Sequence, residues 1–174
     1  GTKKWAKEFE GTGVGVPSIA DDGTIYVMVY KEEHSEKCGW WYHCLHAVDS
    51  NNPKEEKWQS CSAFYGGVPV ISSAGNVYIL RTYASFDVWK TQIYGFDPQR
   101  DSWSSESYGT IGHLILDKEK TIYALFDNNV GAFDQQLKLK WSVSLNDREG
   151  PLSLGGDGAL FVPGEKKLYM IRPR

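Results

Sequence analysis

The sequence predicts an all-β fold built from four copies of one structural unit. A Trp, a Pro, a Gly-containing turn and a Tyr recur in nearly the same order four times along the 174 residues. The chain contains 18 Gly and 7 Pro, and 14% of its residues are aromatic, which is typical of many short strands joined by turns. No stretch of about ten residues or more shows the 3.6-residue period of a helix, so we expect almost no helix.

Each repeat begins at a Trp and continues through a fixed series of positions. The repeats span approximately residues 5–57, 58–102, 103–140 and 141–174, and residues 1–4 are assigned to a strand that closes the last one. The distance from the Trp to the Pro, or to Leu114 in the third repeat, is 12, 11, 11 and 10 residues. From there to the Tyr, or to Phe161 in the fourth repeat, it is 9, 9, 9 and 10 residues. The stretch after the Tyr varies most, as expected where strands must pair and surface loops can grow.

Each repeat contains about four short strands bounded by Gly, Pro, Asn or Asp turns. Four antiparallel strands per repeat are typical of one blade of a β-propeller. We therefore predict a single β-propeller domain over residues 1–174, built of four four-stranded antiparallel blades.

The repeat pattern also resembles a known family. Its first copy contains Gly23-Thr24-Ile25-Tyr26-Val27 and Leu45-His46-Ala47-Val48-Asp49, and Lys57-Trp58 leads into the second. This pattern resembles the pyrroloquinoline-quinone (PQQ)-type propeller repeat, which occurs in quinoprotein dehydrogenases, in an outer-membrane barrel-assembly lipoprotein and in luminal sensor domains. The resemblance implies that one Trp per repeat packs between neighbouring blades. Those residues are Trp5, Trp58, Trp103 and Trp141.

The chain departs from that family at several positions. The Thr-Gly that usually follows the Asp is missing, and Arg172 stands where the fourth Asp would fall. The resemblance would associate PQQ catalysis with a pair of adjacent cysteines, which this chain lacks. We therefore expect no cofactor.

The two ends of the sequence lie in phase with the repeat. If Gly1 followed Arg174, Trp5 would lie seven residues after Arg172, the spacing that separates Asp134 from Trp141. Residues 1–9 could then supply the outer strand that the fourth repeat lacks. A closed four-blade ring, two chains forming an eight-blade ring, and a fragment of a longer array all fit this phase. We favour a self-contained or self-associating unit, because unpaired strand edges aggregate. As the chain begins without Met, we expect a processed or truncated form.

The three cysteines predict one disulfide. Cys38 and Cys44 would lie ~20 Å apart along an extended strand, beyond disulfide reach. A hairpin centred near residues 52–53 would place Cys44 opposite Cys61, where a cross-strand disulfide is sterically reasonable. Two neighbouring thiols are the alternative. A bridge would imply an extracytoplasmic or secreted protein, with Cys38 free or paired with another molecule.

Composition and motifs exclude several classes of function. The net charge of −3 gives no basic face for nucleic acid, and no apolar run approaches the ~18 residues of a membrane helix. His43 and His46 are expected to point to opposite faces of one strand, so we predict no metal site. No nucleophile motif is present, and we predict that the chain is not an enzyme. His113 is expected to face the propeller axis, where a core role is the alternative to a functional one.

The connection after the Tyr strand is long only in the first two repeats, and these insertions are rich in aromatic residues. Together with nearby blade-linking segments they predict an aromatic loop face that binds a ligand. The candidate residues are Trp40, Trp41, Tyr83, Phe86, Trp89, Phe64, Tyr65 and Tyr108. The alternative is that half of these rings pack the loops onto the blades.

We therefore predict a non-catalytic binding or scaffold module that recognises a protein or carbohydrate, or that forms homo-oligomers. The alternative is a sensor or periplasmic propeller domain of a larger protein, such as a kinase or a redox enzyme. An enzyme acting at the axis would have to use His113 and Arg172.

Overall fold

A computed structural model describes residues 1–31, 42–62, 65–85, 88–147 and 150–172, and of residues 65, 84 and 85 it describes the backbone. All regular structure in these residues is β-strand, and no helix occurs among them. The strands are β1 (Gly13–Val14), β2 (Ser18–Ile19), β3 (Thr24–Lys31), β4 (Tyr42–Asp49), β5 (Glu56–Ser62), β6 (Tyr65–Ile71), β7 (Val77–Ser85), β8 (Val88–Phe96), β9 (Ser102–Ser104), β10 (Ile111–Leu116), β11 (Ile122–Phe126), β12 (Asn129–Phe133), β13 (Leu139–Ser144), β14 (Ser153–Leu154), β15 (Leu160–Pro163) and β16 (Leu168–Ile171). A helix with the length and apolarity needed to cross a membrane is not found in the described ranges.

The strands form four antiparallel sheets that follow one another along the chain. The first sheet contains β1–β5, the second β6–β9, the third β10–β13 and the fourth β14–β16. Within each sheet, strands that are consecutive in sequence pair with each other, apart from the short β1 and β2, which both pair with β3. The prediction of an all-β chain is therefore confirmed, with one antiparallel sheet per repeat.

The number of strands per sheet differs from the prediction at both ends of the chain. Four strands occur in the second and third sheets. The first sheet has five because its inner strand is divided: β1 ends at Val14 and β2 begins at Ser18, with Pro17, which has no N–H to donate, between them. The fourth sheet has three, because residues 1–9, assigned to its outer strand, form no strand.

Successive sheets pack against each other through three apolar clusters. Side chains alternate along each strand, so every sheet can present one apolar face to the sheet before it and the other to the sheet after it. The first and second sheets share a cluster of Tyr26, Met28, Leu45, Ala47, Val77, Ile79 and Phe96. The second and third share Tyr78, Leu80, Ile93, Ile111, Ile122, Ala124, Phe126, Phe133 and Leu137. The third and fourth share Tyr123, Leu125, Val130, Ala132, Leu145, Leu152, Leu160 and Val162. Among the described residues no cluster joins the fourth sheet to the first.

One turn position has the same backbone conformation in all four repeats. It lies just before the strand that carries the repeat Tyr, or Phe161 in the fourth repeat, and its N–H donates to the carbonyl three residues earlier. The position carries a positive φ, which favours glycine because a Cβ is strained there. Three repeats carry glycine, at Gly23, Gly75 and Gly158, whereas the third carries Lys120 with φ of 65°.

The β4–β5 hairpin contains a disulfide. The pairing register places Cys44 opposite Cys61, with Cα atoms 4.1 Å apart, and their sulfur atoms are bonded. The bridge closes a loop with a sequence separation of 17 residues. Cys38 lies outside the described residues.

Candidate ligand-binding site

The first strand of each sheet, called here the inner strand, is interrupted at an equivalent place in the first three repeats. The interruptions fall at Gly15-Val16-Pro17, Gly67-Val68-Pro69 and Gly112-His113-Leu114. β1 and β2 flank the first triplet, and the pairing register shifts across the other two, in β6 and β10. Such irregularities bend a strand and redirect its side chains. These three segments are called the inner triplets below.

The inner triplets converge on one pocket of about 420 Å³. Each of the first three sheets contributes one wall, and Val14, Tyr30 and Leu80 complete the lining. The Ser18 hydroxyl donates a hydrogen bond of 2.5 Å to the Pro69 carbonyl, which connects the inner strands of the first and second sheets. The pocket is therefore a product of how the sheets are placed relative to each other, and no single repeat contains it.

Two side chains give the pocket its hydrogen-bonding groups, the Tyr30 phenol and the His113 imidazole. Gly15 leaves room for the phenol, because a Cβ there would lie 3.0 Å from the Tyr30 hydroxyl. The Tyr30 ring also packs edge-on against His43, with ring centres 4.8 Å apart. His113 is exposed and stands where the first two repeats have Val16 and Val68.

The lining favours a small, largely apolar molecule with one or two polar groups. Its valine and leucine side chains provide apolar contact area, and the phenol and imidazole can donate or accept hydrogen bonds. A phenol and an imidazole are also groups that can transfer protons to or from a bound molecule.

The predicted aromatic loop face is described only in part. Trp40, Trp41, Phe64 and Phe86 lie outside the described residues, and for Tyr65 only the backbone is described. The three described side chains have different surroundings. The Tyr83 hydroxyl shares a hydrogen bond of 2.5 Å with Ser107. Tyr108 packs on Phe126 and Phe133 at the contact between the second and third sheets. Trp89 has 52% of its surface exposed.

Three of the four repeat tryptophans lie between neighbouring sheets. Trp58 lies 5.7 Å from both the Tyr26 ring and the Phe96 ring, measured between ring centres, and so bridges the first and second sheets. Trp103 donates from its indole N–H to the Gln135 carbonyl of the third repeat, at 2.9 Å. Trp141 packs at the contact between the third and fourth sheets.

Trp5 has a different environment, with 44% of its surface exposed. It lies in an apolar groove of about 370 Å³ on the face of the first sheet that points away from the second sheet. Lys7 and Phe9 continue along this groove, whose floor includes Val27 and Val48. We call it the first-sheet groove.

A buried histidine, paired with a more exposed carboxylate, lies next to this groove. His46 Nδ1 contacts a Glu56 carboxylate oxygen, and the Phe9 ring packs edge-on against the imidazole, with ring centres 5.1 Å apart. Burial lowers the pKa of His46, and the nearby Lys31 and Lys7 act in the same direction, against the opposing effect of Glu56. His46 Nε2 is buried without a hydrogen-bond partner. A neutral imidazole that donates from Nδ1 to Glu56 accounts for both observations.

Sequence patterns singled out His113 but missed Tyr30 and the His46–Glu56 pair. Tyr30 lies next to the connection whose length varies between repeats, but it follows Tyr26 by four residues and so lies on the same face of β3. In the described part of the chain no group of three or more His, Cys, Asp or Glu side chains is arranged to hold a metal ion.

Comparison with known proteins gives similarity at the level of the fold. No family model matches the sequence, and no curated protein sequence matches it. Among solved structures, the chain is similar to luciferin-regenerating enzyme, with 13% identity and a TM-score of 0.57 over 87% of this chain and 53% of that one. It is also similar to a protein of unknown function from Bacteroides caccae, with 14% identity and a TM-score of 0.58 over 90% of this chain and 58% of that one. The chain spans just over half the length of these two structures.

This comparison corrects one prediction. The chain was predicted not to be an enzyme, and that prediction is contradicted because a structure with the same fold is an enzyme. The physical reason is that catalysis depends on a few side chains at one site. The repeat pattern specifies the fold but does not specify those side chains. The absence of a nucleophile motif in the sequence was therefore insufficient ground for excluding catalysis.

Proposed function

We propose that the four sheets are consecutive blades of a β-propeller of the PQQ-repeat type, and that the chain binds a small ligand where its inner strands converge. Three features support the propeller arrangement: one antiparallel sheet per repeat, apolar packing between successive sheets, and a Trp at each of these contacts. In such an arrangement the inner strands line the central axis.

The observation that carries the binding proposal is the convergence of the three inner triplets on one pocket. Repeat-equivalent positions meet there, and His113 breaks the equivalence by replacing an apolar residue with an imidazole. The expected ligand is a small aromatic or aliphatic molecule with a carboxylate, amide or hydroxyl group for Tyr30 and His113 to bind.

Binding can be tested with a panel of small aromatic carboxylates, amides and alcohols, followed by NMR on the labelled protein. We expect the binding fragments to shift the signals of His113 and of the inner triplets. Val68→Trp should abolish these shifts, because it fills the pocket from a residue that is already partly exposed. Val88→Trp is the matched control, since Val88 is similarly exposed and lies outside the pocket lining. Binding that survives Val68→Trp would contradict the proposal.

The aromatic loop face is a second candidate, for a protein or carbohydrate partner. It is favoured by the exposure of Trp89 and Val88 at the tip of the β7–β8 hairpin. The same NMR experiment can be carried out with a panel of glycans in place of the small fragments. The signals of the β7–β8 hairpin are then followed in the wild type and in Trp89→Ala. Glycan-induced shifts that disappear in Trp89→Ala would support the loop face as a carbohydrate site.

The Cys44–Cys61 bridge supports a location outside the cytoplasm, where disulfides persist. We propose an extracytoplasmic or secreted protein on this ground. A sensor or periplasmic domain of a larger protein also fits that location, and the matched structures are longer than this chain.

A further inference from the structure

We propose that the chain has a second ligand site, for a neutral saccharide, at the contact between the second and third sheets. The site is a pocket of about 510 Å³ that is surrounded by two turns of the second sheet and one turn of the third. Its polar and aromatic lining consists of Asn76, Asp97, Gln99, Trp103, Gln135 and Gln136, and we name it the turn pocket. It shares no residue with the pocket of the inner triplets, so the inference does not depend on the proposed function.

A lysine side chain holds the equivalent place in the first sheet. The pairing register shifts just before Trp58, which makes Lys57 the extra residue of a bulge. The Lys57 ammonium group donates a hydrogen bond of 2.6 Å to the Thr24 hydroxyl and lies 3.4 Å from an Asp22 carboxylate oxygen. The lysine therefore connects the residue before the repeat Trp with the turn that precedes the Tyr strand.

The second sheet differs from its neighbours at this place. The third sheet has the same bulge, at Lys140, whereas Ser102 and Trp103 pair with consecutive residues of β8 without a register shift. Ala74 and Asn76 stand where the first sheet has the carboxylate and the hydroxyl that hold the lysine. The sequence of the second repeat thus lacks both the lysine and its acidic partner, and the turn pocket lies at this contact.

Trp103 is held in one orientation by contacts on several sides. Its indole N–H donates to the Gln135 carbonyl at 2.9 Å, and the Tyr78 ring packs edge-on against it, with ring centres 6.1 Å apart. The indole also lies directly on Gly95, because a Cβ there would come within 2.6 Å of the ring. The part of the indole that stays accessible lines the turn pocket. A ligand that packs on it therefore does not have to order this side chain first.

Two of the surrounding turns are closed by the same hydrogen bond. In each, an aspartate carboxylate accepts from the backbone N–H four residues later, Asp97 from Asp101 at 2.8 Å and Asp134 from Lys138 at 2.9 Å. The glutamines of the turn pocket lie within these two turns. Their backbone positions are therefore fixed before a ligand binds.

The lining of the turn pocket favours a neutral ring that carries hydroxyl groups. The amides of Asn76, Gln99 and Gln136 can each donate and accept hydrogen bonds, as sugar hydroxyls do. Asp97 supplies one carboxylate, and among the described residues no Lys, Arg or His lines the pocket, which gives no preference for an anion. The face of an indole carries negative charge density, which attracts the C–H groups on the apolar face of a sugar ring. Together these groups suit a neutral saccharide.

The proposal can be tested by NMR titration of the labelled chain with glucose, mannose, galactose, N-acetylglucosamine and disaccharides of these sugars. We expect at least one of them to shift the indole N–H signal of Trp103 and the backbone signals of residues 97–99 and 135–136. The expected dissociation constant is roughly millimolar, because the ligand is small and polar. A spectrum of Trp103→Phe assigns the indole signal. Sorbitol has the hydroxyl groups of a sugar but no ring, and should cause no such shifts.

Two pairs of variants test the position of the site. Ala74→Trp should abolish the shifts, because it fills the turn pocket from an exposed turn residue. Ser73→Trp is the matched control, since Ser73 is the exposed neighbour in the same turn and does not line the pocket. Gln136→Ala should weaken binding by about threefold to tenfold, because it removes a hydrogen-bonding group. Gln59→Ala, an exposed glutamine on the outer strand of the first sheet, should bind as the wild type does.

The absence of shifts for every saccharide at millimolar concentrations would overturn the inference, as would shifts that survive Ala74→Trp. Sorbitol shifts of equal size would also overturn it, because hydroxyl groups alone would then account for the effect. Shifts confined to the β7–β8 hairpin that disappear in Trp89→Ala would assign the saccharide to the loop face instead. Binding of aromatic fragments at the inner triplets is a separate measurement, and Ala74→Trp should leave it unchanged.

Discussion

Lys120 adopts a backbone conformation that glycine occupies at the equivalent turn in the other three repeats. Its φ of 65° lies in the left-handed region, where a Cβ costs roughly 1 kcal/mol or more. We expect Lys120→Gly to raise the free energy of unfolding by about 0.5 kcal/mol, because relief of this strain outweighs the added freedom of the unfolded chain. Urea denaturation measures the change. Lys118→Gly in the same turn is the control and should destabilise the protein, since Lys118 does not have a positive φ.

His46 makes stability depend on pH in a defined direction. Burial lowers its pKa below the ordinary 6.5, so the unfolded chain binds a proton more readily than the folded protein does. The free energy of unfolding should therefore fall as the pH drops below about 6.5, by at most about 1.4 kcal/mol per pH unit. Protonation would place an N–H at Nε2, which has no acceptor.

Urea denaturation at several pH values between about 5.5 and 7.5 measures this effect, above the range where most carboxylates titrate. His46→Gln should flatten the pH dependence in this range. His113→Gln serves as the control, because it removes an exposed imidazole that has no part in the His46–Glu56 contact. Equal slopes for wild type and His46→Gln would assign the effect to other groups.

At the scale of the element, the β4–β5 hairpin is closed by the Cys44–Cys61 bridge. A loop of 17 residues is long enough for its closure to restrict the unfolded chain, with an expected stabilisation of about 3 kcal/mol. Replacing both cysteines with serine should lower the free energy of unfolding by about that amount. Urea denaturation with and without a thiol reductant checks this, since the reductant should affect the wild type and leave the double variant unchanged. Cys38→Ser is the control and should keep the response to reductant.

Much of the element structure could be predicted, because it depends on local spacing. The strands that carry Tyr26, Tyr78 and Tyr123 form as the repeat indicates, and the register that pairs Cys44 with Cys61 follows from hairpin geometry. Residues 1–9 could not be predicted in the same way. Their Trp5 matches the repeat, but a strand forms only when it pairs with another strand, and among the described residues none pairs with residues 1–9.

The site was less predictable because it depends on distances between sheets. His113 could be singled out as a departure from the repeat, whereas the approach of Tyr30 to the same pocket is set by how the first three sheets pack. Most of the aromatic loop face lies in the segments where the repeats differ in length, and for these no spacing rule applies.

At the scale of the whole molecule, the four sheets pack in a row, and the outer faces of the first and fourth sheets differ. The first carries the groove that contains Trp5, and the fourth exposes Leu168 and Met170. The ligand-binding pocket lies between these ends, where the inner strands of the first three sheets meet.

The inner triplets have a consequence for how such a protein can acquire new specificity. Val16, Val68 and His113 each come from a different repeat, and each sits at an interruption in the regular pairing of its inner strand. Exchanging one of these three side chains leaves the backbone ladder of its own sheet unaffected and alters one wall of the pocket. Ligand specificity can therefore change through one repeat at a time, while the sheets and their packing stay the same.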